Sequence, residues 1–280
     1  MTHPSAFPLP VPPAGRNTIL DTIAEKTRER IAEEKRRLPL SELRSRAEER
    51  LRSTPNQPSF FRALAAPGIS FICEVKKASP SKGIIAEDFP YLSIAREYES
   101  AKAAAISCLT EPFWFLGSDR YLKEIADAVS IPVLRKDFTV DEYMIYQAKA
   151  LGASAILLIC SILEDGQLRD YLALADELHL DVLTEAHTEE EIERAVKAGA
   201  SILGVNNRNL KTFDVDVENS RRLRSLVPPE ILFVSESGIR SPEDIRILYE
   251  NGTNAVLIGE TLMRASDKGA MLRTLQRLIP

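Results

Sequence analysis

Eight short apolar runs punctuate the chain, at about residues 70–76, 104–110, 132–136, 154–160, 181–186, 201–206, 231–236 and 254–259. Continuous apolar runs of this length suit parallel strands covered on both faces. Six of them end on a polar or charged residue: Lys76, Thr110, Lys136, Glu185, Asn206 and Glu236. Between the runs lie helical stretches with recognisable starts and stops. Asp141 opens DEYMIYQAKAL, Thr188 opens TEEEIERAVKA with a glutamate three residues on, and Ser241-Pro242 opens SPEDIRILYE. Gly152, Gly199 and Gly252 follow helix tails and suit the left-handed cap position, where a Cβ is costly.

Eight strands alternating with helices give the count of a (β/α)8 barrel, a single TIM barrel of the α/β class. A doubly wound open sheet is the competitor, but no GxGxxG fingerprint follows the first run. In a closed parallel barrel the carboxyl ends of all strands emerge on one face, where barrel enzymes do their chemistry. That face is expected to hold at least two lysines and two or three glutamates.

Ahead of the barrel the pattern changes. Residues 1–16 contain five prolines and read as a mobile leader. Residues 17–58 read as an N-terminal helical extension packed over one end of the barrel, which occupies 59–280. Asn17 is the expected N-cap of a charged helix running to about Leu38, with Ile19, Leu20, Ile23, Ile31 and Leu38 as its apolar positions. Pro39 interrupts it and Ser41 restarts a second helix with Leu43, Ala47 and Leu51 in its stripe; residues 53–59 read as a loop.

Composition narrows the function. The 280 residues are 44% hydrophobic and 28% charged with net charge −5, and no dense basic stripe appears outside the first 52 residues, so nucleic acid is not an expected partner. No apolar stretch reaches the roughly 18 residues that span a bilayer, and no leader of the secretory type opens the chain. Cys73, Cys108 and Cys160 all fall within predicted strands without metal-like spacing, so reduced, buried thiols and a cytoplasmic location are expected. His3, His179 and His187 are too few and too scattered for a metal site.

Glycine-rich loops after the last strands suggest a phosphate. Ser237-Gly238 follows the seventh run and Gly259-Glu260 the eighth, where backbone N–H groups can approach an anion closely. SPSKG at 79–83 adds the hydroxyls of Ser79 and Ser81 on the same predicted rim.

These residues also carry a resemblance. CEVKKASPSKG (73–83), LTEPFWFLGS (109–118), PVLRKDF (132–138), GVNNRNL (204–210), SESGI (235–239) and VLIGETLMR (256–264) closely resemble, in order, the motifs of indole-3-glycerol-phosphate synthases. The resemblance implies a (β/α)8 barrel with an extra N-terminal helical segment across its catalytic face. It implies the cofactor-free conversion of 1-(2-carboxyphenylamino)-1-deoxyribulose 5-phosphate to indole-3-glycerol phosphate, carbon dioxide and water in tryptophan biosynthesis.

By the same resemblance Lys136 is the acid beside the ketone oxygen, and Glu185 stabilises the developing anilinium and takes part in dehydration. Lys76 either donates the second proton or holds a substrate anion. Glu74, two positions earlier on the same strand, points to the same side and sets a carboxylate against that lysine. Asn206 contacts substrate near its carboxylate, Arg208 steadies that site, and Glu236 orients a hydroxyl. Ser79, Ser81, Ser237, Gly238, Gly259 and the backbone of Glu260 form the phosphate cradle, and Phe115, Phe138 and Leu210 wall the aromatic ring. No metal is implied. A monomer, or association with other tryptophan-pathway enzymes, is the expected state.

Departures from the family pattern are small: Thr184 and Ala186 flank Glu185, Leu116 stands where a polar residue is common, and Arg135 precedes Lys136. Two other classes fit parts of the pattern. A Schiff-base aldolase also needs a barrel lysine near glutamates, and a non-catalytic barrel could bind a phosphate ligand. The pathway cousin phosphoribosylanthranilate isomerase would be expected to use a cysteine and aspartate pair at strand ends, whereas strand one here ends in a lysine.

Overall fold

Alternating inward and outward positions on eight strands build the centre of the molecule. The computed structural model describes residues 18–208, 215–216 and 218–278. The barrel strands are β1 (Ser70–Val75), β2 (Ala105–Leu109), β3 (Val133–Lys136), β4 (Ala155–Ile159), β5 (Asp181–Ala186), β6 (Ile202–Asn206), β7 (Leu232–Glu236) and β8 (Ala255–Ile258). Each pairs in parallel with its sequence neighbours, and β8 closes on β1.

Both faces of these strands are buried, which is why they read as unbroken apolar runs. Ile72, Leu134, Leu157, Leu183, Ile202, Val234 and Leu257 fill the barrel interior in one cluster. Phe71, Cys73, Val75, Ile106, Val133, Ile156, Leu203, Phe233 and Val256 face outward into a second cluster shared with the helices. The helices start where their caps sit. Thr188 accepts from the Glu191 N–H, and Ser241 forms a capping box with Asp244 ahead of Pro242; each such cap contributes about 1 kcal/mol. Gly152 and Gly199 end their helices in the left-handed conformation at φ 92° and 95°.

The described segment ahead of β1 packs on the barrel through three helices: α1 (Ile19–Arg37), α2 (Leu40–Ser53) and α3 (Phe60–Leu64). Ile19, Leu20 and Ile23 of α1 join the interior cluster from the carboxyl-end side. Phe60 and Leu64 of α3 join it too, while Ser59 Oγ and the Phe61 N–H both donate to Asp181, the first residue of β5, at 2.9 Å. The interior is therefore roofed by α1 at one end and plugged by α3 at the other. Among the described residues no helix is long and apolar enough to cross a membrane.

Several local expectations need correction. Asn17, like residues 1–16, lies outside the described residues, and the cap of α1 is Thr18, whose hydroxyl accepts from the Asp21 N–H while Asp21 accepts from the Thr18 N–H. Pro39, whose ring presets φ, takes the N-cap position of α2, so Ser41 lies inside the first turn. Asn251 caps the helix Pro242–Glu250, and Gly252 turns left-handed one residue later, at φ 76°. Cys160 falls in a single 3₁₀ turn after β4 rather than in the strand. The helix α3 and a two-residue ribbon pairing Ala78–Ser79 with Gly83–Ile84 were not evident from the pattern.

Candidate active site

The odd-numbered strands each send one ionisable side chain to the top of the barrel interior: Glu74 from β1, Lys136 from β3, Glu185 from β5 and Glu236 from β7. Alternate strands supply each layer of a filled barrel, and here one layer is charged. Lys136 Nζ lies 3.4 Å from Glu185 Oε2 and 3.4 Å from Glu236 Oε2. Lys76, one residue past β1, pairs with Glu74.

Two glycines, one on an even strand and one just past another, make space for this layer. A Cβ at Gly204 of β6 would collide with Glu236 Oε1, and one at Gly259, just after β8, would collide with Glu74 Oε1 and stand 2.9 Å from Lys76 Nζ. The carboxylates occupy the volume those side chains would take.

The electrostatics follow from burial and proximity. Burial opposes charge on Lys136, but Glu236, Glu185 and Glu74 outweigh it and hold the ammonium well above the ordinary lysine range. Burial pushes the Glu236 carboxyl up to about 8, with Lys136 opposing and Glu185 and Glu74 adding to the rise. Burial also opposes ionisation of Glu185, yet Lys136, His187 and a hydrogen bond from Asn206 bring it below the usual carboxylate range. These shifts favour an ammonium at Lys136, a carboxylate at Glu185 and a protonated acid at Glu236, side by side.

A cavity of about 350 Å³ opens above this layer. Glu74, Lys76, Ser79, Ser81, Phe115, Lys136, Phe138, Glu185, Asn206, Arg208, Glu236, Ser237, Gly238, Gly259 and Glu260 all line it. Leu210 lies outside the described residues. Its apolar side is made by Ile19, Leu20 and Ile23 of α1 with Phe115 and Phe138, whose ring centroids are 6.1 Å apart. The Arg208 N–H donates to Asn206 Oδ1 at 3.0 Å, which turns the Asn206 amide nitrogen toward Glu185.

On the opposite rim, Ser237 and Gly238 are both left-handed, with φ 69° and 86°. Asn207 fixes that turn: its side-chain nitrogen donates to Ser235 Oγ at 3.0 Å and the Ser237 carbonyl at 3.1 Å. Thr261 Oγ1 donates to the Ile239 carbonyl at 2.6 Å, tying the loop after β7 to the loop after β8. The Glu260 carboxylate pairs with Arg264 at 3.0 Å, and the residue lines the cavity. Arg240 and Arg264 add positive charge to this rim.

Sequence reasoning missed the supports beneath these groups. Asp137 is buried beside Lys136, accepts two hydrogen bonds from Arg30 of α1 at 3.1 and 3.0 Å, and accepts another from Thr110 at 2.7 Å. Arg135, adjacent to Lys136 but facing outward, binds Thr110, Asp119, Gln147 and the Met144 carbonyl. Glu111, 1% exposed, accepts the backbone N–H groups of Phe113, Trp114 and Phe115 at 2.7–2.9 Å. It thereby shapes the loop that presents Phe115 and holds Leu116 at φ 52°.

Comparison with known proteins agrees with this architecture. Among solved structures, 3-hexulose-6-phosphate synthase from Salmonella typhimurium superposes with a TM-score of 0.63 at 13% identity, covering 75% of this chain and 97% of that one. That likeness shows the fold alone. Among curated sequences, indole-3-glycerol phosphate synthase of Ruminiclostridium cellulolyticum is 54% identical over 258 residues, 92% of this chain and 98% of the relative. The corresponding protein of Lachnoclostridium phytofermentans is 53% identical over 270 residues, 93% of this chain and all of the relative. The family model described as indole-3-glycerol phosphate synthase matches residues 20–275, and the chain belongs to that family.

Proposed function

We propose that this protein closes the indole ring of 1-(2-carboxyphenylamino)-1-deoxyribulose 5-phosphate, releasing carbon dioxide and water and forming indole-3-glycerol phosphate for tryptophan biosynthesis. Family membership supports the reaction. The observation that carries the mechanism is the seating of Lys136 between Glu185 and Glu236 at the floor of a half-apolar cavity.

The aromatic ring lies between Phe115, Phe138 and the α1 roof, and the phosphate lies on the opposite rim at Ser79, Ser81, Ser237, Gly238, Gly259 and the Glu260 backbone. Fixing both ends presses the ring carbon that bears the carboxylate against the ketone carbon, which is the entropic part of the task. As that bond forms, the Lys136 ammonium gives its proton to the ketone oxygen, so no free alkoxide accumulates. Glu185 faces the positive charge that develops on the aniline nitrogen, and departure of carbon dioxide restores the aromatic ring. Lys76, charge-paired with Glu74, then protonates the new hydroxyl, which leaves as water while Glu185 accepts the proton released in forming the indole double bond. Asn206 and Arg208 hold the substrate carboxylate, and Glu236, protonated, donates to a substrate hydroxyl.

An imine-forming lysine must be neutral to attack a carbonyl. Lys136, held charged by its carboxylates, suits a proton donor instead. The buried free thiols of Cys73, Cys108 and Cys160 fit a reducing compartment, and we place the enzyme in the cytoplasm.

The test is a fluorescence assay of purified protein with the carboxyphenylamino ketose phosphate. Indole-glycerol phosphate fluorescence is the expected result. Absence of product, or a borohydride-trapped adduct at Lys136, overturns the reading.

A further inference from the structure

His187 stands two residues beyond Glu185, and the acid–base scheme above makes no use of it. Its ring is only 16% exposed, with Nε2 3.4 Å from Glu185 Oε1 and Nδ1 3.4 Å from Glu191 Oε2. The His187 backbone N–H donates to the same Glu191 oxygen at 2.6 Å. Glu191 belongs to the first turn of the helix Glu189–Ala198, whose cap Thr188 accepts from the Glu191 N–H at 3.2 Å. One carboxylate thus fixes both the main chain and the ring of this histidine, and the second ring nitrogen is aimed at Glu185.

Nε2 is buried and makes no hydrogen bond within the protein. Without a proton there, a nitrogen lone pair would face a carboxylate oxygen, so ionised Glu185 and ionised Glu191 together demand a doubly protonated ring. The groups that face it are Glu185 on β5, Glu191 on the following helix and Glu236 on β7. Lys136 stands behind Glu185, and Cys160 and Arg194 border Glu191. Burial disfavours the imidazolium, but the hydrogen bond and charge of Glu191 with the charge of Glu185 outweigh it and hold His187 above the ordinary histidine range. A charged His187 would offset Glu191 as Lys136 offsets Glu185, with Glu236 favoured in its neutral form by burial.

We propose that His187 is a positioning residue for the ring closure, a second cation that keeps Glu185 ionised and aimed at the reacting centre through a Glu191–His187–Glu185 chain. The proposal rests on the acid–base reading of the site given above. Its chemical sense lies in the moment when the proton leaves Lys136 Nζ for the ketone oxygen. Glu185 then loses its ammonium partner, and the imidazolium remains to hold it as a carboxylate while positive charge develops on the aniline nitrogen.

The test has two arms. In the first, the His187 ring signal is followed by NMR through a pH titration; the chain has only 3 histidines, and the signal is assigned by its absence in His187→Gln. It is expected to titrate above the ordinary value of about 6.5 and to fall back toward it in Glu191→Gln and in Glu185→Gln. In the second, His187→Gln is assayed for ring closure. The expected result is a kcat reduced about tenfold with KM within about twofold, and an acid limb displaced upward by about one pH unit because Glu185 has lost a cation. A histidine that titrates at or below its ordinary value overturns the proposal, as does a variant that forms product with an unmoved acid limb. Wild-type protein that forms no product sinks the ring-closure reading instead, and the titration arm then still decides whether the chain of charges exists.

Discussion

Arg30 and Asp137 lie 107 residues apart and meet through two hydrogen bonds, tying the first helix to the residue that follows Lys136. The Asp137 side chain is fully buried and that of Arg30 is 11% exposed. The roof of the cavity and its central lysine therefore share one anchor. Arg30→Ala leaves Asp137 with Arg135, Thr110 and the Phe138 N–H and is expected to cost about 1–3 kcal/mol, together with a rise in KM as the α1 roof loosens. Urea denaturation and steady-state kinetics read the two effects; unchanged values in both would show the anchor to be idle.

Lys136→Ala removes the proposed proton donor. Turnover is expected to fall by a factor on the order of 100 or more, the scale of a lost positioned acid. Single-turnover rates with saturating substrate give the value, and a loss below about fivefold would remove Lys136 from the role.

Glu185→Gln keeps the shape of the side chain and deletes its charge. A similar fall in kcat with KM within a few-fold is the expected pattern, because the carboxylate acts on charge that exists only in the transition state. Wild-type turnover in this variant would contradict the assignment.

Glu236 gives the site a pH signature. Its carboxyl is raised to about 8 by burial and by Glu185 and Glu74, against the pull of Lys136. As pH rises through that value the group ionises and holds the Lys136 proton more tightly, so activity is expected to decline on the alkaline side and Glu236→Gln to lose that decline. The stability sign is fixed by the same shift. The folded state keeps a proton that the unfolded chain releases, so the stabilisation is fully present below the ordinary carboxylate value and is lost as pH rises toward about 8. Urea midpoints of wild type and Glu236→Gln at pH 6 and pH 9 read it together with the groups that Glu236 touches.

Gly238→Val tests the phosphate rim. Gly238 sits at φ 86°, where a β-branched residue is strained, and Ser237 before it is already left-handed. KM is expected to rise far more than kcat falls, and an unchanged KM would move the phosphate elsewhere.

Much of this architecture was legible in the chain because parallel strands buried on both sides leave few alternatives to Val, Ile and Leu until they reach the barrel mouth. Lys76, Lys136, Glu185, Asn206 and Glu236 stand out for that reason, as polar ends on apolar runs. Thr188 and Ser241 were readable because a cap is a local event. Asp137, Arg30 and Glu111 were not, because their partners are set by tertiary contact or by a loop folding back on its own backbone. His187 stood out only as one of three scattered histidines, because its partner Glu191 returns to hold it only when the following helix closes. Helix α3 escaped because five residues carry too little periodicity to be seen.

The glycines at 204 and 259 have an evolutionary corollary. Each surrenders volume to an acid on the adjoining strand, so neither pair can drift one member at a time. A methyl group at 204 should be accepted only alongside a shortened acid at 236, and a lineage that abandoned either acid would lose the pressure to keep its glycine. Correlated change at 204 with 236, and at 259 with 74, is thus the imprint this mouth should leave on its descendants.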